Sequence, residues 1–122
     1  MTKRVLKRKS GKPLADPSLE MPEAELLTNL RQEARNCGWL VYRAQFSMYS
    51  SRGWPDLFMV RNGQALAWEL KGAKGKPTEA QAEWIEALQG VPGVDARIVY
   101  PNDLDKAYEA LVTGEWKEGT GL

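Results

Sequence analysis

The sequence predicts a layered α/β domain, a mixed four-stranded sheet with helices on its faces. Three observations predict it. The apolar periods change along the chain in the order α-β-β-β-α-β-α, with no internal repeat. Asn62-Gly63 lies between two short apolar runs, which is a strong hairpin signal. A helical stretch and one more strand follow that hairpin, so two of the helices can pack on opposite faces of one sheet.

Residues 1 to about 20 contain Lys, Gly, Pro and Ser without an apolar period and read as a basic, flexible N-terminal arm. Residues 21–122 read as a single domain, the usual number for a chain of 122 residues. Pro22 suits a helix's first turn, and Pro22-Glu23-Ala24-Glu25 opens a helix to about Asn36. Its apolar stripe is Leu27, Leu30, Ala34 and Cys37, and Gly38 is its stop. Leu40 to Gln45 reads as a strand and the Ser- and Gly-rich Ser47–Gly53 as a loop. Strands at Leu57–Val60 and Ala65–Lys71 flank the turn. After Gly72, Gly75 and Pro77 a helix runs from Thr78 to about Leu88, with Trp84, Ile85 and Leu88 inward. Gly90, Pro92 and Gly93 break the chain before a strand at Ala96–Tyr100. A last helix from about Asp103 to Leu111 turns Leu104, Ala107, Tyr108 and Leu111 to the core.

Composition narrows the chemistry. Hydrophobic residues make up 43% and charged residues 27%, as in ordinary globular proteins. No apolar run approaches the ~20 residues of a membrane span, and the N-terminus lacks the apolar stretch of a secretory signal. Cys37 alone allows neither an intramolecular disulfide nor a cysteine metal cluster, so a cytoplasmic protein is expected. The absence of histidine excludes Ser-His-Asp triads, Cys-His pairs and histidine-ligated metals. Catalysis would have to rest on carboxylates, lysines, hydroxyls or a bound ion. Carboxylate oxygens favour hard cations such as Mg²⁺ or Mn²⁺.

The net charge of +1 conceals an asymmetry. Lys3, Arg4, Lys7, Arg8, Lys9 and Lys12 fall within the first twelve residues, whereas the remainder holds 11 basic and 16 acidic residues, a balance of −5. Such an arm attracts polyanions through counterion release, or else serves as a solubilising leader.

One grouping carries chemistry. Strand alternation puts Leu66, Trp68 and Leu70 on one face of the second hairpin strand and Glu69 and Lys71 on the other, with two alanines. A turn at Asn62-Gly63 brings Asp56 roughly opposite Glu69 and Lys71. Two carboxylates and an ammonium thus meet at one end of a hairpin. The carboxylates could hold Mg²⁺, which lowers the pKa of a bound water and neutralises charge on a scissile phosphate. The lysine could orient or deprotonate the attacking water, or stabilise the pentavalent transition state. A Glu-x-Lys strand taken alone reads first as a surface salt bridge on a hairpin.

The pattern Gly53-Trp54-Pro55-Asp56, with Glu69-Leu70-Lys71 following after twelve intervening residues, resembles the Pro-Asp…Glu-x-Lys signature of the PD-(D/E)XK nucleases. The stretch from Gly72 through Thr78-Glu79-Ala80-Gln81-Ala82-Glu83-Trp84 resembles the VRR-Nuc branch, which has a Gln at the start of the helix after Glu-x-Lys. The resemblance spans about residues 22–100. It implies a restriction-endonuclease-like αβββαβ core, and metal ligation by Asp56, Glu69, the backbone carbonyl of Leu70 and an acid on the first helix. Glu23 and Glu25 compete for that role. Glu23 precedes the core-facing stripe of Leu27, Leu30, Ala34 and Cys37, whereas Glu25 aligns with Asn29, Gln32 and Asn36, which favours Glu23. Either acid also suits a helix's first turn on dipole grounds alone.

Gln81 has two readings. Thr78-Glu79-Ala80-Gln81 fits a capping box, while the resemblance makes Gln81 a site residue, and it shares a helical face with Trp84, Ile85 and Leu88. Lys74 and Lys76 form a basic loop that either clamps a DNA backbone or is a solvated turn. Arg43, Tyr49 and Arg52 fall near the expected cleft, and Lys7, Arg8 and Lys9 lie in the arm; these are the further candidates for DNA contact. Trp39, Trp54, Trp84 and Trp116 read as packing or interface residues.

The resemblance implies a Mg²⁺-dependent DNA endonuclease, with Mn²⁺ able to substitute. Stand-alone domains of this branch are typical of bacteriophages and bacteria and often act on branched DNA. A homodimer would set two sites on the two strands of a junction. A DNA-binding or assembly module on a nuclease-like fold, and an RNA-cleaving enzyme with the same site, are the competing readings.

Overall fold

The computed structural model describes residues 21–42 and 52–118. Its elements are α1 (Glu23–Asn36), β1 (Leu40–Tyr42), β2 (Leu57–Arg61), β3 (Gln64–Leu70), α2 (Glu79–Gln89), β4 (Val94–Val99) and α3 (Leu104–Thr113), with a 3-10 turn at Pro101–Asp103 before α3. The four strands form one mixed sheet in the order β1-β2-β3-β4. β1, β2 and β3 are successively antiparallel, and β4 returns parallel to β3 after α2. This is the mixed four-stranded α/β architecture the sequence predicts.

The β2–β3 register follows from its turn. Asn62 and Gly63 both have positive φ (50° and 78°), the condition for a two-residue turn whose twist matches that of the strands. Leu57 therefore pairs with Trp68 and Arg61 with Gln64. Arg61 then ties the turn end down. Its guanidinium donates to the carbonyls of Cys37 (2.8 Å) and Leu111 (3.1 Å) and lies 4.5 Å from the Trp39 ring centre. Gln64 Nε2 adds a bond to the Gly114 carbonyl at 2.6 Å.

The main core lies between the sheet and the pair α1 and α3, where Leu66, Trp68 and Leu70 meet Leu30, Ala107 and Leu111. A smaller layer lies between the sheet and α2, around Ala67, Ile85 and Ala96, with Phe58, Leu88 and Ile98 half-buried beside it. The alanines of β3 and β4 leave room for the helix to approach. α2 begins in a capping box: Thr78 Oγ1 accepts from Gln81 N–H (3.1 Å), and Gln81 Oε1 accepts from Thr78 N–H (2.8 Å).

Three expectations shift in detail. The fully buried row of α1 is Leu26, Leu30 and Ala34, with Leu27 and Cys37 only partly buried. Steps of three and of four residues both stay on one side of a helix, and packing centres the face on Leu26. β4 starts two residues earlier than expected, at Val94, because Ala65 N–H bonds to the Gly93 carbonyl (2.9 Å) and starts the parallel ladder there. Of the expected strand Leu40–Gln45, β1 covers Leu40–Tyr42, and the rest lies outside the described residues, as do the arm and most of the Ser47–Gly53 loop. Among the described residues no helix is long and apolar enough to cross a membrane.

Candidate active site

The site forms at the open end of the β2–β3 hairpin, away from the Asn62-Gly63 turn. Backbone pairing stops at Leu57 and Trp68. One step further, the Asp56 side chain replaces the missing strand: its Oδ2 accepts from Leu70 N–H at 2.9 Å. A strand residue sends its N–H and C=O to the same edge, so the Leu70 carbonyl also faces the Asp56 side. Lys71 N–H turns the other way, to the Val99 carbonyl (3.1 Å), which anchors the end of β3 to β4.

Glu69 is 1% exposed, the one buried charged residue among the described residues. Its Oε2 lies 3.7 Å from Lys71 Nζ, while its Oε1 is buried with no hydrogen-bond partner among the described residues. Burial is the chief reason that its pKa is pushed up to about 8. The charge of Asp56 raises it further, Lys71 opposes, and a hydrogen bond with Asp56 and the charge of Glu23 add smaller upward pushes. With both carboxylates ionised the pair concentrates negative charge that one ammonium only partly offsets, which is why Glu69 holds its proton up to about pH 8.

Glu23, in the first turn of α1, joins this field from the opposite wall. Its pKa is raised by partial burial first and by Asp56 second, with Lys71 opposing. Glu23, Ala24, Leu27, Asp56 and Leu70 line one cleft of about 350 Å³. Glu25, the other first-turn acid and exposed like Glu23, does not line it. Among the described residues no three carboxylates stand as a ready metal cluster. Asp56 and Glu69 form the close pair, and Glu23 faces them across the cleft.

These groups suit a hard divalent cation. The donors are carboxylate and carbonyl oxygens, the set that Mg²⁺ and Mn²⁺ prefer. The unpartnered Glu69 Oε1 is an acceptor without a donor, and a cation would remove both that deficit and the mutual repulsion of the acids.

The Lys71 side chain rests on the following turn. A Cβ on Gly75 would lie 3.3 Å from both Cβ and Cδ of Lys71, so glycine lets the turn back the lysine closely. Gly75 N–H closes that turn on the Gly72 carbonyl at 3.0 Å, leaving Lys74 and Lys76 exposed at its tip. Arg52 is exposed on the approach to Asp56. Gln81 sits in its capping box with its side-chain oxygen engaged. Lys7, Arg8, Lys9, Arg43 and Tyr49 fall outside the described residues.

Sequence reasoning missed two contacts at this site. Ala24 and Leu27 share the cleft wall with Glu23, a placement readable from helical spacing once Glu23 is set there. The segment bearing Asp56 also packs against α2, with Trp54 edge-on to Trp84 at 5.0 Å; both tryptophans read as packing residues in the sequence, but nothing there paired them.

No protein-family model matches the chain, and no curated protein matches it. Among solved structures the chain is similar to a VRR_NUC domain protein, with a TM-score of 0.54 and 21% sequence identity over 75% of this chain and 90% of that one. That likeness shows the fold: the chain has the mixed four-stranded α/β fold of a VRR_NUC domain.

Proposed function

We propose that this chain is a VRR-Nuc nuclease, a Mg²⁺-dependent endonuclease that hydrolyses DNA phosphodiester bonds. The observation that carries the reading is the meeting of Asp56, Glu69 and Lys71 at one open strand end beside a cleft. Asp56, Glu69 and the Leu70 carbonyl would hold the metal ion, with Glu23 across the cleft as a further ligand. The ion supplies Lewis-acid activation of water and charge neutralisation at the phosphate. Lys71, held by Glu69 and backed by Gly75, orients the attacking water or stabilises charge on the pentavalent phosphorus. Leu70 N–H fixes the Asp56 carboxylate so that it is preorganised toward the cleft. Lys74, Lys76 and Arg52 contact phosphates along the approach, and Lys7, Arg8 and Lys9 with Arg43 add to the positive field. Gln81 directs its amide toward the bound water or phosphate while its oxygen caps α2.

Four-way or otherwise branched DNA is the proposed substrate, cut by a homodimer of a phage or bacterial protein in the cytoplasm. The test is incubation with supercoiled plasmid and with a four-way junction in Mg²⁺, Mn²⁺ or EDTA. Asp56→Ala and Lys71→Ala should each lower cleavage by at least about 10²-fold while the fold persists. Full activity in both folded variants would defeat the site assignment.

One observation favours a second reading. The acids do not close into a three-carboxylate cluster among the described residues. A DNA-binding module on the same fold needs no such cluster. Salt-sensitive binding without cleavage in any metal would select it, and matched DNA and RNA substrates would separate an RNA-cleaving enzyme.

A further inference from the structure

Asp56 reaches Leu70 from a segment that belongs to no strand, so something other than the sheet ladder must hold it. Residues 52–54, which lead into it, lie instead against α2. Trp84, in the second turn of that helix, donates its indole N–H to the Arg52 carbonyl at 3.0 Å. Its ring stands edge-on to Trp54 at 5.0 Å and 82°, and Trp54 packs on Phe58 of β2 at 5.4 Å. Three rings therefore run from α2 to β2, bracketing Asp56 in the chain. Gly53 has φ of +84°, and a Cβ there would fall 2.5 Å from the carbonyl carbon and oxygen of Ala80. The loop backbone thus lies directly on the helix backbone, and buried Pro55 stiffens the last step to Asp56.

We infer that Trp84 is a positioning residue for Asp56. Its N–H on the Arg52 carbonyl and its ring on Trp54 hold the Asp56 carboxylate at the Leu70 N–H. This deepens the nuclease reading and rests on it for the use to which Asp56 is put. Helix α2, with Gln81 in its first turn, and Asp56 then move as one body. Trp84 touches none of the reacting groups.

The Leu70 amide reports on this arrangement without metal, DNA or turnover, because its hydrogen-bond acceptor is the Asp56 side chain. Amide hydrogen exchange would be followed by NMR on the full chain in EDTA, for the wild type, Trp84→Phe and Asp56→Ala. The phenylalanine keeps a ring and removes the donor. Trp84→Phe should speed exchange at Leu70 at least about fivefold, toward the Asp56→Ala rate, while Leu66 and Trp68 on the same strand stay as slow as in the wild type.

Unchanged Leu70 exchange in Trp84→Phe would overturn the proposal, as would equal acceleration at all three amides, which marks a general loss of stability. A wild-type Leu70 amide as fast as that of Asp56→Ala would overturn it too. Should Trp84→Phe fail to fold, Trp54→Phe, which shrinks the partner ring and keeps the Trp84 donor, should speed Leu70 selectively in the same way; its failure to do so would count equally against the proposal. Absence of cleavage by the wild type would sink the nuclease reading and leave this exchange pattern standing.

Discussion

Glu69 carries a large electrostatic strain. A carboxylate that is 1% exposed, beside a second carboxylate and with one oxygen unpartnered, is costly to ionise. In the unfolded chain its pKa returns to an ordinary value near 4.5, against about 8 in the folded protein. The folded state therefore keeps a proton that the unfolded state releases, and stability falls as pH rises from about 4.5 through about 8. In EDTA, the urea midpoint should be lower at about pH 8.5 than at about pH 6, and Glu69→Gln should flatten that difference. Parallel pH profiles for the two proteins would show that Glu69 is not the strained group. A divalent cation bound at Asp56 and Glu69 acts in the opposite sense, favouring the ionised form. It should raise the wild-type midpoint more at the higher pH and leave Glu69→Gln nearly unmoved.

At the scale of elements, the hairpin is held by its two ends for different purposes. The turn end is structural: Arg61 serves the last carbonyl of α1's cap and two carbonyls at the end of α3, Leu111 and Val112, where a cation also suits the helix dipole. Arg61→Leu should cost about 2 kcal/mol, chiefly from lost charge-assisted bonds, since the Leu111 carbonyl keeps the Trp39 indole N–H as donor; urea denaturation would measure it. Cleavage by the folded variant should persist, because the site is at the far end of the hairpin; a fall in activity without a fall in stability would contradict this division. The turn end was also the more legible one. Asn62-Gly63 specifies a two-residue turn by itself, and alternation from it places Glu69 and Lys71 together without knowledge of any distant contact. The open end was legible in its cast and not in its bonding. That Asp56 extends the ladder to Leu70 N–H depends on a side-chain direction, which residue spacing does not encode. The Trp84 contact joins residues 32 apart through packing, and no local period announces it. In α1 the opposite failure occurred: two neighbouring rows satisfied the same helical period, and only the packing of α3 and the sheet chose Leu26 over Leu27.

Across the whole molecule, the site draws on both layers. α1 supplies Glu23 from the large-core side, the β2–β3 hairpin supplies Asp56, Glu69 and Lys71, and α2 anchors the approach to Asp56 from the small-core side. The chemistry thus depends on the complete layered fold, whereas the charge that would attract nucleic acid is distributed quite differently. Beyond the first twelve residues the acids outnumber the bases by 16 to 11, so the body of the chain repels a polyanion on balance. Lys3, Arg4, Lys7, Arg8, Lys9 and Lys12 reverse the sign locally. If these side chains replace counterions on a DNA backbone, each should add to the salt dependence of binding. Replacing all six by glutamine in the full chain should make the slope of log K against log salt shallower by up to about 5. The accompanying affinity loss should be uniform across DNA sequences, since phosphate contacts carry no sequence information. Cleavage at low salt and high enzyme concentration should survive, because none of the six belongs to the Asp56, Glu69 and Lys71 grouping. An unchanged slope would make the arm a solubilising leader and shift the electrostatic contact to Lys74, Lys76 and Arg52, whose replacement should then produce the effect instead.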